Sequence, residues 1–172
     1  MKKMVKKRFL AGLLACLMVI SCLSACGKQE ESQEVTQEAL QAIMDKMLAA
    51  ETELPDMRSA SSAEENAAQL FSAVSDIDYE KVDKFCLSYS AEGYADEILL
   101  VHMKDQAGVD ELKSSLSKHI EKRKNTFASY KEEEVPRVEK AQIAFQGNYV
   151  CLVICNHYNE MKTVFMNETK EG

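Results

Sequence analysis

The chain has 172 residues, 28 acidic against 21 basic side chains and a formal net charge of −7, with no Trp and only 6 Gly. That length suits one domain with an ordinary hydrophobic core. The acidic excess argues against nucleic acid or an anionic polymer as a general partner, and the scarcity of Trp and Gly argues against an all-β sandwich or a carbohydrate-binding aromatic platform.

The amino terminus carries the strongest signal. Lys2, Lys3, Lys6, Lys7 and Arg8 precede an uncharged apolar run of 18 residues, Phe9 to Cys26, and the sequence turns polar at Lys28. A basic segment, an apolar segment and small residues at a cut are the layout of a secretory signal. The run is at the short limit for a helix that spans a bilayer. Ser21, Ser24, Ala25 and Gly27 crowd its end, where a spanning helix carries aromatic or basic anchors instead. Leu23-Ser24-Ala25-Cys26 resembles the lipobox of bacterial lipoproteins, in which the cysteine takes a diacylglyceryl group and a peptidase cuts just before it. Small side chains beside the scissile bond and a thiolate-forming residue are what that chemistry demands.

Cys26 is therefore the expected lipidation site, with Cys22, behind Val19-Ile20-Ser21, as the looser alternative. Cys16 has only seven apolar residues before it. Residues 1–25 are expected to leave as a signal peptide, 26–34 to form the lipidated start and a polar linker, and 35–172 to fold as a single α+β domain. Without residues 1–25 the balance becomes 16 basic against 28 acidic side chains, a charge of −12. Two acyl chains on one cysteine give stable anchoring. The expected address is the cell membrane, lipid-anchored on the extracytoplasmic side.

Val35, Leu40, Ile43, Met44, Met47 and Leu48 mark one face of a helix, with Gln37, Glu38, Gln41, Asp45 and Lys46 toward water. Leu54-Pro55 closes that segment. Ser62 and Glu65 fit a capping box that opens a second, short helix with Ala67, Leu70, Phe71 and Val74 inward. Asp76 to Tyr79 reads as a turn. Two strands follow, Phe85 to Tyr89 and Glu97 to Lys104. In the latter, Ile98 and Leu100 take one face while Leu99, Val101 and Met103 take the other, the pattern of a strand buried on both sides.

The longest helix runs from Gly108 to Tyr130, with Asp110 as N-cap and Val109, Leu112, Leu116, Ile120, Arg123 and Phe127 at three- and four-residue steps. The chain turns around Pro136, either directly or through a short helix reaching Ala141. Ile143 and Phe145 form a short alternating strand, Gly147-Asn148 a two-residue hairpin turn, and Tyr149 to Cys155 a second apolar strand. Met161, Val164 and Phe165 give a last helix over Glu160 to Glu168. The order α-α-β-β-α-β-β-α predicts an α+β fold on a mainly antiparallel four-stranded sheet, with either helices on both sides or one face serving as an interface.

At "YADEILLVHMKD", "HIEKRKNTFASY" and "EKAQIAFQGNYVCLVI" the chain resembles a family of Firmicutes lipoproteins of the domain-of-unknown-function 4358 type. The residues that carry it are Asp96, Glu97, Ile98, Lys104, Asp105, Arg123, Phe127, Tyr130, Ala141, Gly147, Asn148, Tyr149 and Val150. The likeness runs from about Leu70 to Asn167. That family has a Pro soon after the position of Tyr130, which here is delayed to Pro136. No activity attaches to the family, so the resemblance implies a fold and an address and brings no catalytic residue.

Candidate chemistry is sparse. Cys151, Cys155 and His157 share a face if the strand runs on, but strand rise sets the two thiols about 13 Å apart, too far for a disulfide or one shared ion. Cys155 and His157 alone leave two zinc ligands missing. In an oxidising compartment Cys86 has either of the other thiols as a disulfide partner across the sheet, and one thiol is then left over. Buried structural thiols are the other reading. Asp96-Glu97 beside His102 invites an acid–base reading, yet adjacent strand residues point to opposite faces. Lys118, Lys122, Arg123 and Lys124 sit in the later half of a helix, where cations complement its dipole, and read as a solvated face.

No nucleophile elbow, phosphate loop or zinc-protease helix motif is present. No cofactor or metal is expected, and no catalytic or ligand-binding residue is assigned. The sequence points to a non-enzymatic binding module at the cell envelope, held to the membrane through Cys26 and engaging another envelope protein or a small ligand. The alternatives are a small hydrolase-like envelope enzyme and an accessory subunit of a membrane complex. A pocket gathering Asp96, His102 and a further polar group would favour the enzyme, and a flat apolar patch a partner surface.

Overall fold

The computed structural model describes residues 34–170. The expected signal peptide, Cys22, Cys26 and all but the last residue of the expected linker lie outside the described residues. A strand that is apolar at nearly every position has to be covered on both faces, and the sheet is built around one. Its strands are β1 (Met57–Ser61), β2 (Val82–Ser90), β3 (Glu97–Met103), β4 (Gln142–Gln146) and β5 (Tyr149–Ile154), all antiparallel, in the order β1-β2-β3-β5-β4. β3 is central, with Leu99 paired to Leu87 on one side and to Leu152 on the other.

Five helices cover the sheet: α1 (Gln37–Ala49), α2 (Ala67–Phe71), α3 (Gln106–Tyr130), α4 (Val135–Glu139) and α5 (Tyr158–Glu168). The faces separate by residue parity. Phe85, Leu87, Leu99, Val101, Val150 and Leu152 pack under α2, α3 and α4, where Phe71, Leu112, Leu116, Phe127 and Val138 close the layer. Cys86, Ile98, Leu100, Cys151 and Val153 pack under α1 and α5, against Leu40, Met44, Met47, Met161 and Phe165. Each such buried Val, Leu, Ile, Phe or Met contributes about 1.5–3 kcal/mol relative to exposure, so neither face is dispensable. No helix among the described residues is long and apolar enough to cross a membrane.

The structure corrects the expected four-stranded sheet to five strands. The unforeseen one is β1, "MRSAS", where only Ala60 is buried. As an edge strand it is held by its backbone ladder, Met57 opposite Ser90 through Ser61 opposite Cys86, and needs no apolar alternation. Helix starts also shift, α5 beginning at Tyr158 rather than Glu160. The Ser62–Glu65 box is not formed: Glu64 Oε1 accepts from the Ser61 N–H, Ser61 Oγ accepts from Ala63 N–H, and Ser62 Oγ accepts from Phe85 N–H instead. The cap of α3 is Asp105 rather than Asp110; its carboxylate accepts from Gly108 N–H at 2.8 Å, and the helix begins two residues earlier than expected. In β4 the buried side chain is Ala144, while Phe145 stays 49% exposed. Gly147 turns the β4–β5 hairpin with a φ of +53°, a conformation that favours glycine.

Candidate functional site

At the end of the sheet where β3 begins, charge is buried. Glu51, Asp96, Glu97 and Glu134 are each 5% exposed or less. A buried carboxylate is costly unless paired and hydrogen-bonded, and all four are. Glu97 points to the α3 side, where His119 Nε2 meets Oε1 at 2.6 Å and Arg123 Nη1 meets Oε2 at 3.1 Å. Arg137 on α4 bridges Asp96 at 2.7 Å and Glu134 at 2.6 Å, and its Nε donates to Asn156 Oδ1 at 3.3 Å.

Ala95 stands between the two groups. Its N–H donates to Glu134 Oε2 at 2.9 Å and its carbonyl accepts from Arg123 Nη2 at 3.0 Å. The network thus clamps the β2–β3 connection to α3 and α4 at once. Burial pushes the Asp96 carboxyl up from its ordinary value against the pull of Arg137, with Glu134 and Glu51 adding to the rise.

Glu51, in the loop after α1, accepts from His157 N–H at 2.8 Å, from His157 Nδ1 at 2.9 Å and from Glu53 N–H at 2.8 Å. Burial alone would raise its carboxyl; the His157 ring and the two backbone donors together hold it below the usual range. His157 is raised in turn by the Glu51 hydrogen bond and charge.

Asp96 and Glu97 do point apart, as strand geometry requires, and His102 joins neither. It lies at the other end of β3, about 20 Å from Asp96 at strand rise, with Nδ1 2.9 Å from Asp83 and its ring against Tyr149. His157 is half exposed and bonded to Glu51. Cys86, Cys151 and Cys155 are all free and buried. Cys86 and Cys151 share a face with the Leu100 position between them, two strand spacings or about 9.5 Å apart, beyond disulfide reach. Burial raises their thiols, Cys86 to about 11 and Cys151 and Cys155 to about 12, so none is a nucleophile at neutral pH. Among the described residues no group of three or more His, Cys, Asp or Glu is placed to hold a metal ion.

Of the basic run, Lys118 is exposed and faces Asp76 at 3.6 Å, whereas Arg123 turns inward to Glu97. Sequence reasoning missed Glu51, His119, Glu134 and Arg137. One signal was present: Arg123 falls in the apolar series of α3, and His119 is one turn before it.

The open depressions add little acid–base chemistry. The larger, about 540 Å³, is bordered by Asp76, Asp78, Asp110, Glu111 and Lys118 and includes none of the network. A smaller one of about 200 Å³ reaches His119 beside Ser75 and Ser115. Those hydroxyls are engaged: Ser75 donates to Ser115 Oγ at 2.9 Å, and Ser115 donates to Asp76 Oδ1 at 2.6 Å.

A family described as domain of unknown function (DUF4358) matches residues 57–155. The chain belongs to the DUF4358 family. No curated protein and no solved structure matches it. The DUF4358 match takes in all five strands and α2, α3 and α4, hence Asp96, Glu97, His119, Arg123, Glu134 and Arg137. It leaves out α1 and α5, the two helices that close the other face.

Proposed function

We propose that this DUF4358 protein is a lipid-anchored extracytoplasmic module that engages a protein or small ligand at the cell envelope without catalysing a reaction there. The observation that carries the non-enzymatic part is the engagement of the acid–base groups. Both oxygens of Glu97 are taken by His119 and Arg123, Arg137 bridges Asp96 and Glu134, and His102 is tied to Asp83. A general base has to present a free lone pair within reach of a substrate, and the carboxylates of Asp96, Glu97 and Glu134 are engaged in holding α3 and α4 to the sheet, whereas His102 bonds Asp83 from strand to strand.

The address rests on the sequence. The basic start, the apolar run and Leu23-Ser24-Ala25-Cys26 support cleavage after residue 25 and a diacylglyceryl thioether on Cys26, with Cys22 as the alternative. Palmitate labelling in bacterial cells tests it: a Cys26→Ala variant loses the label, and persistent labelling moves the anchor to Cys22. Crosslinking of the native protein in membranes, followed by purification, tests the binding part. A reproducible partner supports it, an integral membrane assembly among the products assigns the accessory-subunit role, and no partner in any condition overturns both.

A further inference from the structure

The sheet has two edges, and among the described residues only one is guarded. On β1 the pairs Asp56–Ala91 and Ser62–Phe85 are hydrogen-bonded, so the backbone groups of Met57, Ser59 and Ser61 face outward. Glu64 already takes the Ser61 N–H, and Arg58 places a charge on the strand, two of the devices that keep an edge from pairing. β4 reads Gln142-Ile143-Ala144-Phe145-Gln146, with no charge and no proline. In its two-residue hairpin the closing pair Gln146–Tyr149 is hydrogen-bonded, so Gln142, Ala144 and Gln146 bond to β5 and the N–H and C=O of Ile143 and Phe145 face away from the sheet.

That pentapeptide is close to a palindrome, and the geometry points to a two-fold dimer in which β4 pairs antiparallel with β4 of a second copy of this chain, centred on Ala144. The centring sets Ile143 opposite Phe145 and Gln142 opposite Gln146. The backbone parity agrees with it: Ile143 and Phe145, whose groups face outward, become the hydrogen-bonded pairs, giving four N–H···O bonds about the axis. The side chains agree as well. Ile143 and Phe145 lie on the α3 face, the first half-buried and the second 49% exposed, and the pairing sets each beside the other on its partner. Gln142 and Gln146, both half-buried on the α5 face, are set opposite one another; Gln142 Nε2 donates to the Lys140 and Ala141 carbonyls, which leaves its Oε1 to accept from the Gln146 amide of the second copy. A two-fold interface needs a self-complementary patch, and this strand is self-complementary in sequence, register and backbone polarity together. The inference stands apart from the anchoring reading, because it uses only residues of the sheet.

Sedimentation equilibrium of the full chain in detergent micelles tests it, with Phe145→Lys as the disrupting variant. Phe145 is exposed and Lys113 already lies 3.8 Å over its ring, so the new lysine places like charges at the axis without touching the core. The parent is expected to sediment as a dimer and the variant to dissociate by about tenfold more, with an unchanged circular dichroism spectrum. The register is read separately. Chains carrying Gln142→Cys and Gln146→Cys, mixed and oxidised, should form a disulfide-linked dimer that neither forms alone, because a non-hydrogen-bonded pair sets its Cα atoms about 4.5 Å apart, within disulfide range. A monomeric parent, a dimer indifferent to Phe145→Lys, or mixed chains that link no better than either alone overturns the proposal.

Discussion

On the α3 side of the sheet the cover is aromatic and aliphatic, with Phe71, Tyr79 and Phe85 in mutual ring contact, and its rim is pinned by buried ion pairs through Arg123 and Arg137. On the α1–α5 side the fill includes Met44, Met47, Met161, Cys86, Cys151 and Cys155, and Lys46–Glu168 joins the two helices in the open at 2.6 Å. One side is pinned at its rim by buried arginine ion pairs, whereas the other combines soft, polarizable packing that adapts to small changes of shape with the Glu51–His157 bonds and the Gln37 donation to the Phe85 carbonyl. The family match falls along the same division, since it includes the pinned side and omits both helices of the soft one. The matched part of this chain is thus the sheet and its pinned cover.

The sharpest way to break this contrast is Arg137→Ala. It strands Asp96 and Glu134 as unpaired buried carboxylates, and the expected cost is about 3–5 kcal/mol, read as a lowered urea midpoint. A cost below about 1 kcal/mol would remove the distinction. On the soft side Met161→Leu, fully buried, should cost under about 1.5 kcal/mol in the same assay. Lys46→Ala should cost under about 1 kcal/mol, because its pair with Glu168 is largely solvated.

Two further outcomes read a pattern rather than a size. Compared with the parent, Glu51→Gln should change the pH profile of stability. The His157 value is raised, so its contribution is complete below the ordinary 6.5 and is lost as pH climbs through the raised value. The Glu51 value is lowered, so its contribution is complete above the ordinary 4.5 and is lost as pH falls through the lowered one. The difference between the two proteins should peak between pH 4.5 and 6.5 and shrink on either side. Finally, Cys86, Cys151 and Cys155 should resist a thiol reagent in the native state and react on unfolding, with no change of mass on reduction attributable to them.

Much of the fold was legible in the sequence because burial leaves periodic traces. The two-sided run of β3, the Gly147-Asn148 hairpin and the stripe of α3 follow directly from their apolar spacing. β1 left no trace because an edge strand is specified by its neighbour's backbone, and "MRSAS" has little apolar signal to display. Asp105 and Asp110 both suit an N-cap by type, and only the three-dimensional reach to Gly108 distinguishes them. The candidate site was half visible. Asp96 and Glu97 announced themselves as acids at a strand start, but Glu134 and Arg137 lie about 40 residues on, in a segment whose charges look like ordinary solvated ones. Sequence separation hides such partners, since nothing local records which charge will be buried.

Lys46–Glu168 and Glu51–His157 join positions 122 and 106 residues apart, so the first and last helices of the described domain are stitched to one another across the soft face. That has a mechanical consequence. A pull on the chain from the amino-terminal side of α1 meets side-chain contacts first and the strand ladders only afterwards. α1 is therefore the domain's fuse: it would peel at a force set by thioether packing, the Gln37 donation to the sheet and two ion pairs, and its departure would bare Cys86 and Leu100 while the pinned face stays closed.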